Sequence, residues 1–301
     1  MGAAAAAPGS REAALDQTAT AFGSGGNTTG GRAWMTPEGA YETGDGFDGH
    51  YFGTTIGIDG GADDGSFLVG GAFTYGETSY DLDGLQASGT GKQYGVSVYG
   101  LRRFGEAYAS VIGYAATGNT RYTRDLRFLG MPRAALTRFD GTTLGARLEV
   151  GYALPLTAGL KITPFAAVEP TRLHLDEARD SFGNGGGVVY EASDTISMPM
   201  TLGFQIGGPV TFEDGSRIEP FFRAGGKHEF WPDRDITRHL AELPGISFQG
   251  SDVEVPEDAA VLRAGVQYRL DEDFDLQLSV DSELSEERRS VGGTLSLRYR
   301  W

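Results

Sequence analysis

The chain has 301 residues and a mass of 32.0 kDa, with 47 glycines, 13 tyrosines, 17 phenylalanines and no cysteine. The lack of cysteine excludes disulfides, zinc–cysteine sites and a thiol nucleophile, and the formal charge of −16 argues against nucleic-acid binding. No apolar run approaches the roughly 18 residues that a membrane-spanning helix needs, which excludes a helical membrane protein and leaves a barrel of alternating strands open.

Residues 1–31 form the first predicted unit, a linker ahead of the strands. The stretch "SREAALDQTATAF" contains helix formers, and "GSGGNTTGG" after it has a flexible composition. We predict either a short helix that threads a pore or a disordered tail. The linker lacks the charged and apolar regions of a secretory signal peptide, so we expect an exported chain of this kind to be a fragment or to carry a wrong start site.

Twelve alternating segments follow. Most are about 10 to 13 residues long, which suits strands tilted across a membrane and exceeds the usual globular strand of about 5 to 6 residues. The predicted strands are residues 32–42, 50–59, 66–76, 92–103, 107–117, 142–153, 160–172, 195–207, 217–229, 260–270, 274–284 and 291–301.

The alternation gives each strand one apolar face and one charged face. In the terminal "GGTLSLRYRW", for example, the apolar residues share one parity and the arginines share the other. A dry core does not accept isolated charges, whereas a hydrated lumen does. The charges predicted to line that lumen are Arg147, Glu149, Lys161, Glu169, Arg217, Glu219, Arg223, Arg263, Arg269, Glu283, Arg298 and Arg300.

The links between the strands alternate between short and long. "GGADD", "FGE", "LPLTAG", "TFEDGS" and "DED" are short, whereas links such as "GNTRYTRDLRFLGMPRAALTRFDG" are long. Outer-membrane barrels have this asymmetry, with short periplasmic turns and long surface loops. The sequence therefore predicts an all-β protein, a closed twelve-stranded antiparallel transmembrane β-barrel over residues 32–301, and it disfavours a soluble β-sandwich.

Three stretches carry a family likeness, namely "VGYALPLTAGLKITPFAAVEPTRL", "AVLRAGVQYRLDEDFDLQLSVDSEL" and the terminal "GGTLSLRYRW". Residues 31–301 resemble the C-terminal translocator barrel of an autotransporter, the type V secretion β-domain. The resemblance implies a barrel in the bacterial outer membrane that anchors and exports an N-terminal passenger, with a segment from the N-terminal side threaded through the pore.

The resemblance also implies partners and sites. Leu295, Leu297, Tyr299 and Trp301 correspond to the C-terminal assembly signal read by the outer-membrane barrel insertion machinery, although the family more often ends in phenylalanine. Some members cut the passenger at an asparagine inside the pore, and Asn27 is the only asparagine of this linker, without a matching motif around it. The implied partners are outer-membrane lipid, the insertion machinery and the chain's own passenger, and we expect a monomer.

The predicted barrel is wide enough for one chain segment. Twelve strands about 4.8 Å apart and tilted about 40° close a ring roughly 24 Å across. After lining side chains take roughly 5 Å on each side, about 14 Å remains, enough for one α-helix of about 10 to 12 Å diameter. A folded domain would not fit, which favours passage of a single segment.

No catalytic or metal-binding motif is present. His50, His174, His228 and His239 form no H-E-x-x-H pair, and "GVSVY" around Ser97 lacks the last glycine of a nucleophile elbow. We therefore expect no enzymatic activity and no cofactor. A passenger-less outer-membrane channel or barrel enzyme stays open as the alternative.

Overall fold

The computed structural model describes residues 31–44, 46–62, 64–82, 86–125, 134–157, 159–180, 187–213, 217–231, 235–240, 243–251, 256–271 and 273–301. The predicted linker, apart from Gly31, lies outside these residues, and so does Asn27. No helix in the described ranges is long and apolar enough to cross a membrane.

Within these described ranges, backbone hydrogen bonds define twenty strands, and every strand pair is antiparallel. The strands are β1 (Gly31–Gly44), β2 (Phe47–Gly61), β3 (Phe67–Leu82), β4 (Ala87–Phe104), β5 (Ala107–Asp125), β6 (Ala134–Tyr152), β7 (Leu154–Pro155), β8 (Lys161–Val168), β9 (Thr171–Leu175), β10 (Ala178–Arg179), β11 (Val188–Tyr190), β12 (Ser193–Ser197), β13 (Pro199–Gly207), β14 (Val210–Thr211), β15 (Arg217–Glu229), β16 (Asp235–Leu240), β17 (Leu243–Ser251), β18 (Asp258–Arg269), β19 (Phe274–Leu284) and β20 (Arg288–Arg300).

Twelve positions form a closed wall. Strands β1 to β6 follow one another, β8 with β9 fills the seventh position, and β12 with β13 fills the eighth. Strands β15, β18, β19 and β20 complete the ring, and β20 pairs with β1. The predicted closed twelve-stranded antiparallel barrel is confirmed.

Several strands extend further on the loop side than the sequence predicts. Strands β5 and β6 have 19 residues each, so most of the predicted loop 118–141 is a paired hairpin. The prediction ended these strands where apolar residues on the outer face end. Cross-strand pairing satisfies backbone N–H and C=O groups beyond the membrane as well, so the hairpin continues.

The outer face carries an apolar band. Ile58, Val98 and Leu144 are between 64% and 67% exposed, as expected of side chains that meet lipid. Exposed aromatic residues lie toward both ends of the wall, in the arrangement of the aromatic girdles of membrane barrels. They are Phe104, Tyr152 and Trp301 at the turn side, and Tyr41, Tyr94 and Trp231 at the loop side.

The inner face is packed with aromatic rings over part of the wall. Trp34, Tyr99 and Tyr114 are at most 4% exposed and belong to one buried cluster. The Trp34 ring lies against Gly57 of the neighbouring strand β2, a residue that has no side chain. A Cβ at Gly57 would lie 2.4 Å from the Trp34 ring, so this position requires glycine.

The contact between the first and last strands contains one interruption. The β1–β20 register skips the Thr36–Ser296 and Pro37–Leu295 pairs, whereas the β1–β2 register runs continuously through Pro37. Proline has no N–H, so it cannot donate to the carbonyl of Leu295 across this seam. Inside the barrel, the hydroxyls of Thr36 and Ser296 lie 3.0 Å apart and join the two strands at the gap.

Restoring the missing donor is expected to stabilise the seam. Pro37→Ala supplies an N–H for the Leu295 carbonyl, and one hydrogen bond contributes ~1 kcal/mol. Hydrogen exchange at the Met35 and Gly39 amides should slow roughly fivefold in Pro37→Ala. Exchange between β4 and β5 serves as the control and should not change. Unchanged exchange at Met35 and Gly39 would contradict the assignment of the gap to proline.

Candidate functional site

The barrel lumen contains a buried ion cluster centred on Glu149. The Arg223 guanidinium donates to both carboxylate oxygens of Glu149, at 2.6 and 3.0 Å. Arg147 donates at 2.9 Å and the Tyr108 hydroxyl at 2.7 Å. Glu149 is 5% exposed. A buried carboxylate is costly when it is alone, and here two cations and a hydroxyl stabilise its charge.

The cluster continues onto a third wall position. Arg147 also donates to Glu169 at 3.1 Å, and Tyr114 donates to the same carboxylate at 3.1 Å. The Arg223 guanidinium carbon lies 3.5 Å from the centre of the Phe165 ring. These contacts link β6, β8 and β15 through side chains inside the barrel.

A second group of charges lies at the turn side. Arg32 donates to Asp59, which also accepts a hydrogen bond from the Tyr99 hydroxyl at 2.7 Å. On the neighbouring strands, Asp275 pairs with Arg300 and lies 3.5 Å from Arg269. The turn-side end of the lumen is thus lined by paired charges.

The ion pairs on the loop side of the lumen are more exposed to solvent. Arg288 lies 2.6 Å from Glu42, and Lys227 pairs with Glu283. The side chains of these four residues are between 24% and 33% exposed, in contrast to Glu149. The lumen wall therefore stays polar and accessible near β1, β19 and β20 on this side.

The twelve predicted lumen charges fall into three groups. Most belong to the ion pairs above or hydrogen-bond across strands: Arg298 donates to Gln277 at 2.6 Å, and Arg263 donates to Ser279 at 3.1 Å. Arg217 and Glu219 pair with each other at 2.8 Å at the turn-side rim. Lys161 is exposed at the same rim. Their proposed role in passage of a chain stays a prediction.

Sequence reasoning missed several lumen charges. Arg32, Asp59 and Asp275 are at most 7% exposed and each forms an ion pair. Each has the inner parity of its predicted segment, so parity counting carried to the segment ends would have found them.

A small sheet covers part of the loop-side mouth. Strands β10, β11, β16 and β17 pair in that order, although the sequence predicts only loops there. Asp180 anchors this sheet because it accepts hydrogen bonds from Arg124 at 2.7 Å and from Thr137. The Tyr190 ring packs 5.1 Å from Phe139, and burial raises the pKa of Tyr190 to about 12.

The histidines do not form a common site. His174 lies 3.2 Å from Asp194, His228 lies 2.8 Å from Asp258, and His239 lies 3.3 Å from Glu191. The ring of His50 lies 4.9 Å from that of Tyr41 on the outer face, tilted by 41°. Among the described residues, no group of three or more histidine or acidic side chains could hold a metal ion.

A family model for the autotransporter beta-domain matches residues 33–281, which is most of the chain. The chain belongs to the autotransporter β-domain family. The β-domain is therefore an outer-membrane translocator barrel that serves export of an N-terminal passenger. No curated protein matches the chain.

Solved structures share the fold of this β-domain. The translocator domain of autotransporter NalP from Neisseria meningitidis has a TM-score of 0.76 and 14% identity, covering 97% of this chain and 95% of that chain. The β-domain of the Bordetella autotransporter Brka has a TM-score of 0.68 and 20% identity, covering 90% and 100%. The transport unit of the autotransporter AIDA-I from Escherichia coli has a TM-score of 0.59 and 13% identity, covering 89% and 90%.

The Glu149 cluster is expected to stabilise the barrel. Glu149→Ala leaves Arg147 and Arg223 without their shared carboxylate, and breaking a buried pair costs about 3 to 5 kcal/mol. Urea unfolding of the β-domain in lipid vesicles measures the decrease in the free energy of unfolding. Glu77→Ala is the control, because Glu77 and its partner Lys92 are both more than half exposed and such pairs contribute about 0 to 1 kcal/mol. Equal effects of the two substitutions would contradict a stabilising role of the cluster.

The anchor of the small sheet gives a separate prediction. Asp180→Ala removes the acceptor for Arg124 and Thr137, so the β10–β11 hairpin should detach and become sensitive to protease while the barrel stays folded. Limited proteolysis followed by mass spectrometry measures this. Asp194→Ala is the control, because its pair with Arg172 is exposed on the outer face. Equal resistance of both variants and the unmodified β-domain would show that Asp180 does not hold the sheet.

Proposed function

We propose that this β-domain resides in the bacterial outer membrane as a monomer and passes one passenger segment through its lumen. The observation that carries the proposal is the closed wall with exposed apolar side chains outside and paired charges of both signs inside. Where charges line the lumen, their mixed signs and hydrogen bonds give an unfolded chain a polar surface to pass along. The open pairs Arg288–Glu42 and Lys227–Glu283 continue this lining to the loop side.

The threaded segment is residues 1–30 in this proposal, because Gly31 already belongs to β1. Gly31 begins β1 at the turn side, next to the carboxyl-terminal end of β20, and its carbonyl accepts a hydrogen bond from Trp301 N–H at 3.1 Å. A segment that enters β1 from inside the barrel would occupy the lumen and restrict ion flow.

Single-channel conductance in a planar bilayer tests this proposal. The full chain is compared with a variant that lacks residues 2–30. We expect low conductance from the full chain and a large increase after the deletion. Equal and large conductance from both would contradict threading and would favour the alternative, an open outer-membrane channel without a passenger.

We propose that insertion depends on the outward residues of β20. Leu295, Leu297, Tyr299 and Trp301 are between 39% and 62% exposed on one face of this strand, where an insertion machinery has access before closure. Removal of the terminal aromatic residue tests their role as an assembly signal.

Trp301→Ala is expected to lower the amount of folded barrel in the outer membrane of living cells several-fold, because recognition is lost. The same variant should refold into lipid vesicles nearly as well as the unmodified chain. Val291→Ala, an exposed residue of the same face outside the signal, is the control. Equal losses in cells and in vesicles would indicate a stability defect instead of a recognition defect.

We also propose that the barrel works without enzymatic catalysis. The separation of the four histidines, each against a different neighbour, supports this proposal.

A further inference from the structure

The outer face of the barrel carries two arginines side by side, Arg121 of β5 and Arg138 of β6, which we call the arginine pair. They stand directly opposite each other in the strand register, and both side chains are exposed. Their sequence neighbours Tyr122 and Thr137 are buried on the inner face, so both arginines point outward. Like charges that face each other across two strands repel, and an anion between them would remove this repulsion.

The surrounding side chains do not neutralise the arginine pair. Within the described part of the chain, neither guanidinium has an ion-pair or hydrogen-bond partner. On the neighbouring strand, Arg121 stands opposite Thr90, which carries no charge. On β6, the next outward residue toward the membrane is Asp140, which stands opposite Asn119. One carboxylate cannot neutralise two guanidinium groups, so the arginine pair keeps an excess of positive charge.

An apolar groove lies on the same outer face, closer to the membrane. Its volume is about 770 Å³, which is in the range of small-molecule sites, about 300 to 1,000 Å³. Phe73, Tyr94 and Leu144 line the groove, and Ala115 of β5 adds only a methyl group between the flanking strands. These four side chains are exposed on the outward faces of their strands. The groove therefore opens at the loop-side edge of the apolar band.

The groove leads to the arginine pair along two strands. Thr117 and Thr142 line the groove and stand opposite each other, and the arginine pair lies four residues further along β5 and β6. Four residues of strand span ~14 Å, which is ~10 Å of height at a tilt of about 40°. Head groups occupy roughly 5 to 8 Å beyond the hydrocarbon, and long arginine side chains reach back toward that layer. The arginine pair is therefore within reach of the head group of a lipid whose acyl chain lies in the groove.

The other cations near the groove already have acidic partners. Arg172 and His174 of β9 line the groove, and both contact Asp194, at 2.9 and 3.2 Å. Lys92 of β4 lies 3.1 Å from Glu77. The charge that is left without a partner on this surface is therefore that of the arginine pair.

The chemistry of the arginine pair selects the kind of lipid. A guanidinium group binds phosphate oxygens through parallel N–H donors, so two guanidinium groups suit a phosphate with several anionic oxygens. The loop side of an outer-membrane barrel faces the cell exterior, so the lipid at this surface belongs to the outer leaflet.

We infer that the outer face of β4 to β6 binds a phosphate-bearing anionic lipid of the outer leaflet. An acyl chain occupies the groove, and the phosphate lies between Arg121 and Arg138. The inference rests on the outer-membrane location in the proposed function and adds to it a ligand on the outer wall, separate from the lumen.

Native mass spectrometry of the full chain, refolded in a non-ionic detergent, tests the inference. The barrel is equilibrated with equal amounts of dioleoyl phosphatidic acid and dioleoyl phosphatidylcholine, which have the same acyl chains and differ in head-group charge. We expect bound phosphatidic acid to exceed bound phosphatidylcholine several-fold. Equal binding of the two lipids would overturn the inference.

Substitution of the arginine pair locates the phosphate. The double variant Arg121→Gln, Arg138→Gln should bring the binding of the two lipids close to equality. The matched control is Arg102→Gln, Arg289→Gln, which removes two exposed, outward arginines away from the groove. An equal decrease in both double variants would show that the total charge attracts the lipid, and it would reject a site at the arginine pair.

Filling the groove tests the position of the acyl chain. Ala115→Phe places a ring in the groove and should lower the amount of bound phosphatidic acid several-fold. Val111→Phe is the control, because Val111 is an exposed, outward residue of the same strand that does not line the groove. Equal binding by the two variants would contradict an acyl chain in the groove.

Insertion into phosphatidylcholine vesicles separates this inference from the proposed function. A chain that inserts but shows no preference for phosphatidic acid would reject the lipid site and leave the outer-membrane location standing. A folded chain that fails to insert and binds neither lipid would contradict both.

Discussion

The structure depends on one constraint: a strand that faces hydrocarbon must satisfy its backbone N–H and C=O groups on both sides. Twelve antiparallel positions meet this constraint only because the last strand returns to the first. The seam between β1 and β20 contains one gap, at Pro37, which has no N–H to donate to the carbonyl of Leu295. The Thr36–Ser296 hydroxyl contact holds the strands together at this gap from inside.

Closure also decides which residues the lumen contains. A ring of twelve strands is too wide for its side chains to meet as a single apolar core. One sector is filled by aromatic rings that lie on glycines, and another carries charges that pair across strands. The autotransporter β-domain therefore has a lining that is aromatic in one sector and charged in another.

Much of this architecture could be predicted from local sequence. The alternation of Leu295, Leu297 and Tyr299 with Arg298 and Arg300 gave the two faces of β20 directly, because strand period depends only on neighbouring residues. The alternation of short and long links predicted which rim has turns.

Other features could not be predicted, because they depend on distant parts of the chain. The contact of Arg223 with Glu149 joins residues of β15 and β6, and its partner choice depends on the stagger of the closed ring. The pairing of β11 with β16 joins two separate loops over the mouth of the barrel.

The central claim, that this β-domain exports a passenger joined to its N-terminus, is tested most directly in cells. A signal peptide and a small reporter passenger are fused ahead of residue 1, and protease accessibility of the reporter on intact bacteria is measured. We predict that the reporter is exposed at the cell surface. A reporter that stays protected in the periplasm while the barrel is folded in the outer membrane would contradict the account.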